Sequence, residues 1–179
     1  MAHGYRTLQH WNQWLSHEYL GAELLRAEQT IIAEILKRHF GRHSLLIGAP
    51  NQYDLLNATN IPCHSLISPL MHKESHFNYI QGGFHELPIL TGSIDLVMLP
   101  HTLEFVDNPR QLLAEACRII KPEGLILVCG FNPYSIWGLK RKFDKHKKNL
   151  WMGNLIRAHI IKSWLRLADF EMEQQKWLV

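Results

Sequence analysis

The sequence predicts an α/β protein built on a mostly parallel sheet with helices on both faces, and three observations carry that prediction. Apolar runs such as "SLLIG", "SIDLVMLP" and "GLILVCG" are short and stop at glycine or proline, as buried strands do. The segments between several of them repeat their apolar residues at helical spacing. Strands separated by helices of that length call for parallel pairing and cover on both faces.

The elements follow in order. A first short helix should pack Trp11, Trp14 and Leu15 inward. In "GAELLRAEQTIIAEILKRHFG" the residues Leu24, Leu25, Ile31, Ile32, Ile35 and Leu36 share one face, Glu23, Arg26, Glu34 and Lys37 lie mostly off it, and Gly41 is placed as a C-terminal cap. "SLLIG" is the first buried strand, and "CHSLIS" and "FNYIQ" are weaker ones. "SIDLVMLP" is a strong strand closed by Pro100. "NPRQLLAEACRIIKPEG" is a helix with Pro109 at its start, the stripe Leu112, Leu113, Ala116, Ile119 and Ile120, and Pro122 and Gly124 expected to end it. "GLILVCG" is the next strand, "NLIRAHIIKSWLRLADF" is helical, and "FEMEQQKWLV" reads as an outer strand. Residues 1–179 are expected to form one domain, with N-terminal helices over 1–42 and the sheet-bearing core over 43–179.

In open parallel sheets the ligand sits beyond the carboxyl ends of the strands, at the point where strand order reverses. Those ends are Gly48–Asn51, Ser68, Gln81–His85, Leu99–Thr102 and Gly130–Tyr134, and the site should be drawn from them.

Composition narrows the function. The chain is 46% hydrophobic and 20% charged with a formal charge of +3, ordinary for a globular protein and too weakly basic to argue for nucleic acid. No apolar run approaches the roughly 20 residues that span a bilayer, and the polar N-terminus is not that of a signal peptide. Cys63, Cys117 and Cys129 are an odd set without CxxC spacing, so reduced thiols and a cytoplasmic location are expected. The twelve histidines gather into no His/Cys ligand set, so no metal is expected. There is no GxSxG or Cys–His arrangement of a hydrolase. The run "LKRKFDKHKK" places six Lys/Arg against one Asp. Such a run is usually a solvated loop, although Lys140–Lys148 offers a landing place for nucleic acid or an acidic partner.

Across "SIDLVMLPHTLEFVDNPRQLLAEACRIIKPEGLILVCG" the chain resembles the class I S-adenosylmethionine-dependent methyltransferases of the type-11 kind. Asp95–Val97 matches their apolar "FD-L-V" strand and His101–Glu104 their "H-x-L-E" turn. Asp107 and Pro109 stand for "D-P", and Glu115, Arg118, Lys121, Pro122 and Gly124 for "E-x-x-R-x-L-K-P-G-G". The opening "WLSHEYLGAELLRAE" and "GFNPYSIWGLKR" are similar to a bacterial subgroup with a "G-F-N-P-x-S-x-W-G-L" segment.

The resemblance implies a Rossmann-like sheet and S-adenosylmethionine as cofactor, held by Gly48, Ala49, Pro50, Asn51, Ser68, Gly83, Phe84, His85, Leu99, Pro100 and His101. It implies a methyl acceptor of unknown identity beside Asn132, Tyr134 and Trp137, with His101 and Glu104 as candidates to orient or deprotonate it. The family sheet ends in two further strands, and this sequence stops around the first of them.

The departures are specific. On the family pattern "D-x-G-x-G-x-G" the acid falls at Leu46 and the later glycines at Pro50 and Gln52. The ribose-binding acid falls near Ser68 and the adenine-side aspartate at Gly83. Hydrogen bonds to charged groups are worth roughly 1.5–3 kcal/mol each, so losing two weakens cofactor binding by about a hundred- to ten-thousandfold. Two readings stay open: a methyltransferase with a weakened cofactor site, or a catalytically inactive methyltransferase-like binding and scaffolding domain.

Overall fold

The computed structural model describes residues 2–71, 77–132 and 154–176. Five strands form one parallel sheet: β1 (His43–Ile47), β2 (Cys63–Ser68), β3 (Asn78–Gln81), β4 (Ile94–Pro100) and β5 (Ile120–Cys129), in the spatial order β3-β2-β1-β4-β5. The chain steps outward from β1 through β2 to β3, then crosses back to lay β4 on the other side of β1. Strand order therefore reverses between β1 and β4, whose carboxyl ends flank a ligand crevice in folds of this kind.

The period of two along each strand divides the core into two layers. Leu45 and Ile47 of β1 and Val97 and Leu99 of β4 face helix α1 (Ala2–His17) and helix α3 (Pro109–Ile119). Leu46, Leu96 and Met98 face the other way, onto helix α2 (Tyr19–Leu36) and the 3-10 helix Pro50–Ala58. In α1 the stripe Leu8, Trp11, Trp14 and Leu15 is buried. Helix α4 (Ala158–Leu167) packs Ile161, Trp164 and Leu165 against the first layer.

Element boundaries differ from expectation in three places. Helix α2 ends at Leu36, and Gly41 is not its cap. A side chain at Gly41 would stand 2.4 Å from Asp95 Cβ, so the glycine lets the chain pass against β4. There the Asp95 carboxylate accepts from the amides of Arg42 and His43 and pairs with Lys121 Nζ at 2.7 Å. Helix α3 stops at Ile119, before Pro122 and Gly124, because Ile120 already pairs with Ile94 in the sheet. Residues 121–124 become an irregularity inside β5, after which Leu125 pairs with Leu96. β5 ends the described sheet, where a proline without an N–H is tolerated. Residues 171–176 form no outer strand.

The matched "E-x-x-R" pair has a plain structural task. Arg118 grips Glu115 with two hydrogen bonds of 2.8 Å and also donates to the carbonyls of Leu87 and Ile89. Glu115 accepts from the Leu87 amide. Together they fix the connection that leads into β4.

Candidate functional site

Four of the five predicted segments meet at the carboxyl ends of the strands, and their geometry explains what each can do. The fifth is described only to Asn132. Tyr134, Trp137 and the basic stretch Lys140–Lys148 lie outside the described residues.

The turn after β1 is closed from within. The Gly48 amide donates to Ile67 O at 3.1 Å and the Gln52 amide to Ala49 O at 3.0 Å. The Ala49 amide donates to Gln52 Oε1 at 2.9 Å, while Gln52 Nε2 donates to Pro100 O at 2.8 Å. Gln52 is wholly buried, and its side chain fills the space beneath the turn. A Cβ added at Gly48 would lie 2.7 Å from Gln52 Oε1 and 3.0 Å from Thr102 Oγ1. Pro50 has no N–H. The remaining amide, that of Asn51, donates to Asn12 Oδ1 at 2.9 Å, and Asn51 Nδ2 donates to the Asn12 carbonyl at 2.7 Å. A nucleoside cofactor thus meets a turn whose main-chain donors are all occupied, one of them by a residue of α1.

At the end of β2, Ser68 is fully buried, and its hydroxyl accepts from the Leu70 amide at 3.3 Å. Beyond β3, Gly83 is exposed and a Cβ there would meet nothing within 4 Å. Phe84 is turned into the first core layer, and His85 is exposed with its carbonyl accepting from Gln111 Nε2.

The end of β4 holds the charged part of the site. Leu99 and Pro100 are buried in the strand, and Thr102 Oγ1 donates to Ile47 O at 2.5 Å, tying β4 to β1. His101 takes a left-handed backbone conformation with φ 56°, unusual for a residue with a side chain but tolerated best by His, Asn and Asp. Its amide donates to Cys129 O.

The His101 imidazole is 2% exposed. Its Nε2 lies 2.5 Å from Glu28 Oε1 and its Nδ1 3.8 Å from Glu104 Oε2. Glu104 Oε1 accepts from the Phe131 amide at 2.7 Å. The Trp11 indole covers the group, 5.3 Å from the His101 ring, 5.2 Å from Phe105 and 5.6 Å from Phe131.

Burial pushes the Glu104 carboxyl up to about 7, against the opposing pull of His101 and the Phe131 amide. Burial alone would lower the His101 pKa, but the Glu28 carboxylate and then Glu104 more than offset it, so the imidazole is held protonated above its usual range. Burial, and then the two glutamates, push the Cys129 thiol well above its usual range. Among the described residues, four buried polar atoms here have no hydrogen-bond partner: Trp11 Nε1, Glu28 Oε2, His101 Nδ1 and Glu104 Oε2.

Glu28, Asn12 and Gln52 are the residues that the sequence reading misses. Glu28 carried a signal, since it sits four residues before Ile32 on the apolar stripe of α2, where an isolated carboxylate needs a partner. Among the described residues no group of His, Cys, Asp or Glu could hold a metal, and no helix is long and apolar enough to cross a membrane.

Comparison with known proteins bears on the same region. Residues 58–128 match the family described as a methyltransferase domain. The chain is 36% identical over 97 residues to the uncharacterized protein YafS of Escherichia coli K12, covering 52% of this chain and 39% of that protein. It is 25% identical over 117 residues to the demethylmenaquinone methyltransferase of Clavibacter sepedonicus, covering 54% and 48%. The chain therefore spans less than half the length of either curated relative. A solved structure from Thermotoga maritima, described as a SAM-dependent methyltransferase and possible histamine N-methyltransferase, superposes with a TM-score of 0.68 at 19% identity. That superposition covers 92% of this chain and 81% of the other. The fold is that of the Rossmann-like class I methyltransferases, and the family resemblance read over residues 93–130 falls largely on the matched stretch.

Proposed function

We propose that this chain, with its methyltransferase domain match over residues 58–128, transfers a methyl group from S-adenosylmethionine to a protic acceptor. The observation that carries the reading is the buried Glu28–His101–Glu104 group at the strand-order reversal. A sheet built only to be stable gains little from burying two carboxylates and an imidazole with three of their polar atoms lacking a hydrogen bond among the described residues. Perturbed acids of this kind gather at functional sites.

S-adenosylmethionine supplies an electrophilic methyl group on a sulfonium and leaves as a thioether. The residues of this chain would do the rest. Glu104 is the fitting base, because a carboxyl poised near 7 takes a proton efficiently at neutral pH, and its Oε2 is free to receive it. His101, kept charged by Glu28, has its Nδ1 3.8 Å from Glu104 Oε2, so an acceptor hydroxyl lying beside the pair would accept from Nδ1 and donate to Oε2. Phe105 and Phe131 would line this end and help to exclude water. The cofactor would lie along residues 48–51, Ser68, Gly83–His85 and Leu99–His101. Its fit is partial, since Gln52 fills the floor beneath Gly48 while the approach to Gly83 is open. The free thiols of Cys63, Cys117 and Cys129 accord with a cytoplasmic setting. Nucleic acid is not the favoured partner.

The occupied turn favours a second reading, in which the domain binds a partner without catalysis. Titration calorimetry of S-adenosylhomocysteine into the wild-type chain and into Gly83→Asp separates the two. Restoring a carboxylate at an open position should tighten binding by about ten- to a hundredfold over a weak wild type. No heat from either protein at millimolar ligand would overturn the methyltransferase reading in favour of the scaffold.

A further inference from the structure

We infer that α1 is a plug seated in the cofactor site, and not a lid that closes over bound cofactor. The inference rests on the methyltransferase reading above and concerns how that site is regulated. Two adjacent residues of one helical turn occupy both halves of the crevice. Asn12 Oδ1 holds the Asn51 amide, and the Asn12 carbonyl holds Asn51 Nδ2. Of the amides in residues 48–52, those of Gly48, Ala49 and Gln52 are satisfied within the core itself. Asn51 alone donates to the N-terminal helix, so it is the donor that a ligand can win, and only by displacing Asn12. Trp11, one residue earlier, fills the space between His101, Phe105 and Phe131, where an acceptor would have to approach Glu104.

The seated helix satisfies the turn but not the charged end. With α1 in place the indole Nε1, Glu28 Oε2, Glu104 Oε2 and His101 Nδ1 are buried without a hydrogen-bond partner among the described residues, and each such group is costly. The closed arrangement is therefore held by Asn12 and by apolar packing against a polar deficit that opening relieves. Ligand binding then competes with docking of α1, and the apparent affinity falls by the fraction of molecules that are open.

The test is amide hydrogen exchange of α1 with and without S-adenosylhomocysteine, together with calorimetry of the same ligand, on the full chain and on Asn12→Ala. A plug predicts that saturating ligand speeds exchange in α1, whereas a lid would be protected further, and that protection would overturn the inference. Removing one hydrogen bond should open α1 about three- to tenfold more often and tighten S-adenosylhomocysteine binding by the same factor. Faster exchange in Asn12→Ala with measurable but unchanged affinity would overturn the plug and leave the methyltransferase reading standing. Unchanged exchange in Asn12→Ala would overturn it too, because Asn12 would not be what holds the helix. Faster exchange with no binding to either protein would remove the cofactor reading, and the plug with it.

Discussion

Glu104 shows how one residue can tie stability to proton uptake. Its carboxyl is raised from 4.5 to about 7, chiefly by burial. A group raised on folding contributes stability that is complete below its unfolded value and is lost as pH climbs through its folded one. His101 is shifted in the same direction, so both groups favour the fold at mildly acid pH. Thermal melts should show the wild type losing stability from about pH 4.5 through 7, with Glu104 accounting for about 3 kcal/mol of it. Glu104→Gln stays neutral and keeps an oxygen for the Phe131 amide, so its melting temperature should vary far less over that window. Parallel profiles for the two proteins would show that Glu104 is not the titrating group.

At the scale of elements, the α2–β1 connection passes tightly against β4 at Gly41. Gly41 leaves no room for a methyl group against Asp95, and Asp95 repays the approach with two amide hydrogen bonds and the Lys121 pair. Gly41→Ala should lose about 1–3 kcal/mol in urea unfolding; a loss below about 0.5 kcal/mol would mean that the close approach is readily relaxed. The strands and α3 were legible because burial on a sheet leaves a local apolar pattern. β5 shows where that local signal ends: the sequence "KPEG" carries helix-ending chemistry, yet pairing of Ile120 with Ile94 starts the strand before it. The site was legible only as positions. The strand ends could be named, but the residues that fill them pair across 39, 48 and 73 positions of sequence, and a polar side chain does not announce a partner at that distance.

For the molecule as a whole, the two N-terminal helices should behave differently although they adjoin in sequence. Helix α2 packs Ile32 and Leu36 into the layer holding Leu46, Leu66 and Met98, whereas α1 packs Leu8, Trp11, Trp14 and Leu15 into the other layer over polar atoms left without hydrogen bonds among the described residues. Native-state hydrogen exchange should find the amides of α2 as protected as those of β1 and β4, exchanging only through global unfolding, with α1 opening at lower free energy. Exchange of α1 and α2 as one unit would contradict this division.

The internal closure of the turn by Gln52 bears on how such a protein can change its occupation. A loop that needed its ligand to take shape would lose the fold whenever recognition was lost. Here one glutamine braces Ala49 against Pro100, so the turn holds its shape through the protein's own contacts. Folding and recognition are thereby uncoupled, and acids at the strand ends can be shed or regained without passing through an unfolded ancestor.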